Sequence, residues 1–271
     1  MSTTATASAY EVCRRETRMS GSSFYRGMSL LPADRRAAIF AVYALARRID
    51  DVADGPLPAE RKLELLGEIR DALARIDQSE DPVFVAVADA ASRFPIPLSA
   101  FGDLADGAEM DIRGCTYGSF AELEVYCRRV AGSIGRLCLG VFESSDRATA
   151  EPLADELGVS LQIGNILRDI GEDLANGRAY LPQEDLERFG AIELVVAFEA
   201  QRGLEWLQRG LELVPLLDRR STAAVLAMAG KYRVLLERIA AEPTLVLQGR
   251  LSLRSWEKGL VLARSLAGVG G

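Results

Sequence analysis

Histidine is absent from all 271 residues. That excludes Ser-His-Asp and Cys-His nucleophilic centres and every zinc site built with an imidazole. Cysteine is scarce. Cys13, Cys115, Cys127 and Cys138 form no C-x-x-C pair and are too few for a disulfide framework, so a reducing, cytoplasmic setting is expected. No apolar run reaches the roughly 18 residues that a membrane span requires. Residues 1–9 lack the charged start and apolar core of a signal peptide. Positive charge is in deficit, with 32 Lys and Arg against 39 Asp and Glu and a net charge of −7. Nucleic acid and anionic membrane are therefore poor main partners, although peripheral membrane contact stays open.

What is present is apolar and helical. Hydrophobic residues make up 49% of the chain, enough for a sizeable core, and strand-like alternation is rare. Helical periodicity predicts helices over about 33–54, 59–77, 82–93, 98–112, 119–143, 147–175, 193–213, 218–241 and 252–266. Prolines and glycines punctuate them, among them Pro56, Pro95, Gly114, Pro182, Pro215 and Pro243. Ser119, with Glu122 three residues on, has the pattern of a capping box. No long linker or repeat interrupts the series. One all-α domain over residues 10–271 is expected, preceded by a flexible segment over 1–9.

Two acidic clusters stand out against this pattern: Asp50-Asp51-Val52-Ala53-Asp54, and Asn165 through Asp169 to Asp173. Residues four apart share a helix face, so Asp50 pairs with Asp54, and Asn165, Asp169 and Asp173 form a three-rung ladder. A lone Asp-rich helix is ordinarily a solvated face. Here both clusters follow apolar runs, Phe40–Ala46 and Leu161–Leu167, and the positions three or four residues from the aspartates supply one cation, Arg47. Burying unpaired like charges is costly. Opposed oxygen ladders suit Mg²⁺, which takes a few protein ligands and completes its shell with water and substrate phosphate. A diphosphate substrate follows, with Asn165 as a neutral ligand.

Arg47 and Arg168 flank the ladders, and a guanidinium fork matches phosphate oxygens. Simple ion pairs with Asp50, Asp51 or Glu172 are the alternative for them. Gln162 projects toward the ladder face, and Tyr43 shares the broad face of Arg47 and Asp50, either as a wall for a cation or as an ordinary half-buried tyrosine. The glycines of Val130–Gly140 are explained equally by room for a prenyl chain and by close helix packing.

The segments Ser22-Ser23-Phe24-Tyr25, Leu30-Leu31-Pro32, Tyr43 to Asp54, Tyr126-Cys127 with Val130-Ala131-Gly132, and Gln162 to Asp173 followed by Asn176 to Pro182 resemble the squalene/phytoene synthase family, in family order, over residues 10 to 265. The resemblance implies an isoprenoid-synthase helical bundle around a central cavity, in which two prenyl diphosphates are joined head to head. It makes Asp50, Asp54, Asn165, Asp169 and Asp173 metal ligands. It also assigns Ser20, Ser22, Ser23, Tyr43, Arg47, Gln162 and Arg168 to diphosphate or the first substrate carbons, and Arg178 and Tyr180 to a closing loop. Within the family, Gly21–Tyr25, Ala46–Asp51, Phe94–Leu98 and Pro215–Ser221 are most similar to bacterial presqualene diphosphate synthases of hopanoid pathways. The expected reaction is thus Mg²⁺-dependent condensation of two farnesyl diphosphates to presqualene diphosphate, with no call on NADPH and with later hopanoid or squalene enzymes as partners.

Other outcomes remain. Phytoene, dehydrosqualene or squalene synthesis uses the same motifs. A class I terpene cyclase shares the aspartate spacing but not the Ser-Ser-Phe-Tyr and Tyr-Leu-Pro elements. A non-catalytic assembly or lipid-binding factor on this fold would be expected to lose metal ligands, and both ladders are complete.

Overall fold

The computed structural model describes residues 3–20 and 24–266. Its helices are α1 (Thr3–Met19), α2 (Phe24–Met28), α3 (Ala33–Asp54), α4 (Ala59–Ala74), α5 (Pro82–Arg93), α6 (Ser99–Ile112), α7 (Phe120–Cys127), α8 (Ser133–Val141), α9 (Arg147–Ala175), α10 (Gln183–Phe189), α11 (Ile192–Gly210), α12 (Arg219–Ala241), α13 (Thr244–Gln248) and α14 (Ser255–Leu266). No strand occurs among the described residues. The all-α expectation stands, and no described helix is long and apolar enough to cross a membrane.

Local chemistry explains the helix starts. Asp81, Asp146 and Asp218 accept backbone N–H groups at the beginnings of α5, α9 and α12, satisfying donors that the helix itself cannot. The box expected at Ser119 is rearranged. Ser119 accepts from the Glu122 N–H, but the Glu122 carboxylate accepts from Gly118 at 2.7 Å, and Glu184 takes the Phe120 N–H.

Three expectations need correction. Residues 3–9, expected to be flexible, form the first two turns of α1. Ala9, Cys13 and Thr17 lie four apart and are buried, and Thr17 Oγ1 donates to the Phe40 carbonyl of α3. Their side chains are too small to register as an apolar stripe. The helix expected over 119–143 is broken by a single π turn at Arg128–Gly132, which re-aims the side chains that follow. Short α10 and α13 fall in stretches expected to be loops.

The long helix α9 packs on α8, α11 and α12, and α3 packs on α1, α5, α6 and α8. One apolar cluster centres on α3, α5, α6 and α8, the other on α7, α9, α11 and α12. Between α3 and α9 lies a cavity of about 510 Å³.

Candidate active site

Both walls of the cavity run from apolar to acidic along the chain. On α3 the lining passes from Ile39 and Val42 through Tyr43 and Arg47 to Asp50 and Asp54; on α9 it passes from Leu157 and Leu161 through Gln162 and Asn165 to Asp169 and Asp173. Apart from the adjacent pairs Val42–Tyr43 and Leu161–Gln162, these are steps of three or four residues, one stripe of each helix. The two acidic ends meet, since the Arg178 guanidinium, just beyond α9, reaches Asp54 at 3.3 Å. Asp54 closes α3 and Asp173 sits in the last turn of α9, where the negative end of each helix dipole further disfavours anions.

The carboxylates register this crowding. Asp50 opens onto the cavity yet has protein packed around it. That desolvation raises its pKa to about 7, against the lowering pull of Arg47 and with Asp54, Asp51 and Asp111 adding to the rise. Asp173 is pushed up to about 6, first by desolvation and then by Asp169, with Arg178 opposing. These groups hold negative charge reluctantly, as ligands awaiting a cation do.

Cations that the helical spacing does not supply arrive from elsewhere. Arg168 binds the neighbouring Asp169, Nε to Oδ1 at 2.9 Å, rather than Glu172. Arg250, from the segment after α13, reaches the same Asp169 oxygen at 2.9 Å. Arg47 pairs with Asp51 at 2.7 Å, on a half-exposed surface, and so leaves Asp50 without a direct ion-pair partner among the described residues. Asn165 is held in place by neighbours: Tyr232 OH donates to its Oδ1 at 2.7 Å, and its amide N–H donates to Gln162 Oε1 at 3.2 Å. The Tyr232 bond uses one of the two lone pairs of Oδ1.

Among the described residues no three acidic or thiol side chains converge tightly enough to hold a metal on their own. The donor set is nonetheless all oxygen, divided between facing walls. Such a set suits a magnesium ion that shares its shell with substrate phosphates.

Of the residues predicted from sequence, Tyr43, Arg47, Asp50, Asp54, Gln162, Asn165, Arg168, Asp169, Asp173, Arg178 and Tyr180 all line this cavity. Ser20 is not in its lining but lies 3.1 Å from the Tyr43 hydroxyl. Ser22 and Ser23 lie outside the described residues. Sequence reasoning missed Asp111, Tyr232 and Arg250, which also line the cavity. None belongs to a ladder, and each acts on partners far away in the chain.

The glycines of α8 serve packing first. A Cβ on Gly135 would lie 2.9 Å from the Ala154 carbonyl carbon of α9. Cys138 lines the cavity, and burial raises its thiol pKa to about 12. Cys127 is buried and likewise raised. Neither is a reactive thiol.

A family model described as squalene/phytoene synthase matches residues 17–257. The phytoene synthase of Mycobacterium tuberculosis is 46% identical over 96% of this chain and 91% of its own length. That of Arthrospira platensis is 32% identical over 97% and 94%. Among solved structures, a dehydrosqualene synthase in complex with a ligand superposes with a TM-score of 0.86 at 26% identity, covering 97% of this chain and 96% of its own. A squalene synthase from Alicyclobacillus acidocaldarius gives 0.82 at 28% identity, covering 88% and 95%.

These relatives correct the expected reaction. Condensation of farnesyl diphosphates to presqualene diphosphate gives way to the name phytoene synthase carried by the similar curated proteins. The physical reason is that the ladder motifs mark only the acidic end of the cavity. The rest of the lining is an apolar wall of Ala, Leu, Ile and Val that carries no motif from which a substrate could be read.

Proposed function

The chain belongs to the squalene/phytoene synthase family, and from that premise we propose that it joins two geranylgeranyl diphosphates head to head to give phytoene, releasing diphosphate. The observation that carries this reading is the single cavity wall that turns from apolar to acidic along both α3 and α9, taken with the phytoene synthases that match nearly the whole chain.

Asp50, Asp54, Asn165, Asp169 and Asp173 would hold Mg²⁺ together with the substrate diphosphates. When bound, the metal neutralises charge developing on the departing diphosphate. Arg47 and Arg168 would donate guanidinium N–H groups to the same oxygens, which strengthens as the C–O bond lengthens. Gln162 fixes the amide of Asn165. The aliphatic wall keeps water from the prenyl cation, and the Tyr43 ring at the boundary between the two ends offers a negative face to it. Ser20 orients the Tyr43 hydroxyl, and Ser22 and Ser23 are proposed as diphosphate contacts on sequence grounds.

Purified protein with Mg²⁺ and geranylgeranyl diphosphate is expected to yield phytoene without NADPH, identified by mass spectrometry. A C30 product from farnesyl diphosphate, formed in preference to phytoene, would shift the assignment to a dehydrosqualene or squalene synthase. A C15 hydrocarbon from a single farnesyl group would indicate a cyclase.

Arg47→Ala is expected to lower kcat about 100-fold. Its melting temperature should change little, because an exposed pair such as Arg47–Asp51 contributes about 0–1 kcal/mol. Unfolding of this variant would instead mark Arg47 as a structural ion-pair residue.

A further inference from the structure

Asp111 lines the cavity from α6 and belongs to neither ladder. It divides its oxygens between two phenols: Tyr126 OH donates to Oδ2 at 2.9 Å and Tyr180 OH to Oδ1 at 2.7 Å. These tyrosines come from separate segments. Tyr126 lies in α7 just before the π turn, and Tyr180 in the connection between α9 and α10. Their rings stack at 5.3 Å, and the buried Tyr117 ring packs on both, at 5.6 and 6.3 Å. Both Tyr126 and Tyr180 face the cavity. The connection carrying Tyr180 has backbone ties at either end, Arg178 N–H to the Asp173 carbonyl and Gln183 N–H to the Tyr117 carbonyl. Between them, the phenol bond to Asp111 pins it inward, next to the Arg178 ion pair with Asp54 at 3.3 Å.

We propose that Asp111 is a positioning residue: by holding both phenols it keeps the Tyr126–Tyr180 wall closed, and so decides whether a prenyl cation condenses or is captured by water. The physics is that of a buried phenol needing a partner. Without the carboxylate, the two hydroxyls would hydrogen-bond to water instead and draw it into the cavity beside its acidic end, where a departing diphosphate would leave the cation. Capture by water forms a C–O bond at the cationic carbon, and the surplus proton leaves to solvent. The products are free prenyl alcohol and diphosphate.

The proposal rests on the prenyl-condensing function above, and its test separates the two. Wild type, Asp111→Asn, Asp111→Ala and the Tyr126→Phe/Tyr180→Phe double variant are supplied with geranylgeranyl diphosphate and Mg²⁺, and the ratio of prenyl alcohol to condensed product is measured. Asp111→Ala is expected to raise that ratio about 10-fold, the size of one lost hydrogen bond to a charged group, with KM within about threefold. Asp111→Asn keeps one phenol donating to its Oδ1, turns a donor toward the other and loses the charge that strengthens both bonds, so it falls between. Adding Asp111→Ala to the double phenylalanine variant changes the ratio less than about twofold, since all three residues act as one unit. Amide hydrogen exchange of residues 178–181, read without substrate, is expected to quicken in Asp111→Ala and Asp111→Asn.

Unchanged alcohol ratio in either folded Asp111 variant, additive effects of the three changes, or unchanged exchange at 178–181 would each overturn the proposal. Should Asp111→Ala fail to fold, the near-isosteric Asn variant and the phenylalanine pair decide it. If wild type makes no condensed product from any prenyl diphosphate, the functional reading fails by itself, and the exchange measurement still judges the clamp.

Discussion

Asp50→Asn is expected to cut turnover by about a thousandfold, the upper range for removing one group that stabilises transition-state charge, and at the same time to make the metal-free protein more stable at pH 8. The second effect follows from the sign of the shift. Burial raises the Asp50 pKa to about 7, while in the unfolded chain it returns to about 4. The folded state therefore favours the protonated group. Stability from this residue is complete below pH 4 and is lost as pH rises through 7. An amide carries no charge and escapes that loss. Because the carboxylate opens onto the cavity, solvent screening reduces the benefit to about 1 kcal/mol, or about 2–4 °C in a domain of this size. Thermal scans in chelator should show the variant melting above wild type at pH 8 and level with it near pH 4. Added Mg²⁺ with inorganic diphosphate should stabilise wild type and not the variant. A variant less stable at pH 8 would mean that Asp50 holds the fold together rather than storing cost for catalysis.

The same physics made the site legible in the sequence. Asp50 with Asp54, and Asn165 with Asp169 and Asp173, are spaced by a helical turn, so their convergence on one face needed only the helix period. Charge without local compensation could then be seen directly. The expected spans 33–54, 82–93 and 147–175 coincide with α3, α5 and α9, because each carries a long apolar period. Helix α1 was illegible because Ala9, Cys13 and Thr17 bury little area each, and its stability comes from packing on α3 and α5.

Long-range partners were hidden for a different reason. Arg178 to Asp54, Arg250 to Asp169, Tyr232 to Asn165 and Asp111 to Tyr180 join segments that only the folded bundle brings together. Local spacing had suggested ladders compensated by little besides Arg47. In the fold, arginines from outside the helical faces, Arg178 and Arg250, stand against Asp54 and Asp169. The chain-length error has the same root: aliphatic residues on five or more helices share the wall, and none is distinctive alone.

How closely that wall is built can be tested with one substitution made at two glycines. Gly67→Ala is expected to raise the melting temperature by about 2–4 °C, because the residue sits inside α4 with nothing within 4 Å of an added Cβ, and alanine is favoured over glycine there by about 1 kcal/mol. Gly158→Ala, in α9, gains the same helical preference and should nonetheless melt about 5–10 °C lower. Its Cβ would lie 2.5 Å from the Ala131 carbonyl carbon and 2.6 Å from the Gly132 nitrogen. Both are backbone atoms of the π turn, so no side chain can swing aside, and α9 must move away from the turn. Ala131 and Gly158 both line the cavity, so the displacement also opens the apolar wall, and condensed product should fall with stability. Circular dichroism melts of the two variants check the opposite signs. Equal stabilisation at both positions would show that the α9 contact with the π turn is loose, and that the cavity does not depend on glycine at this crossing.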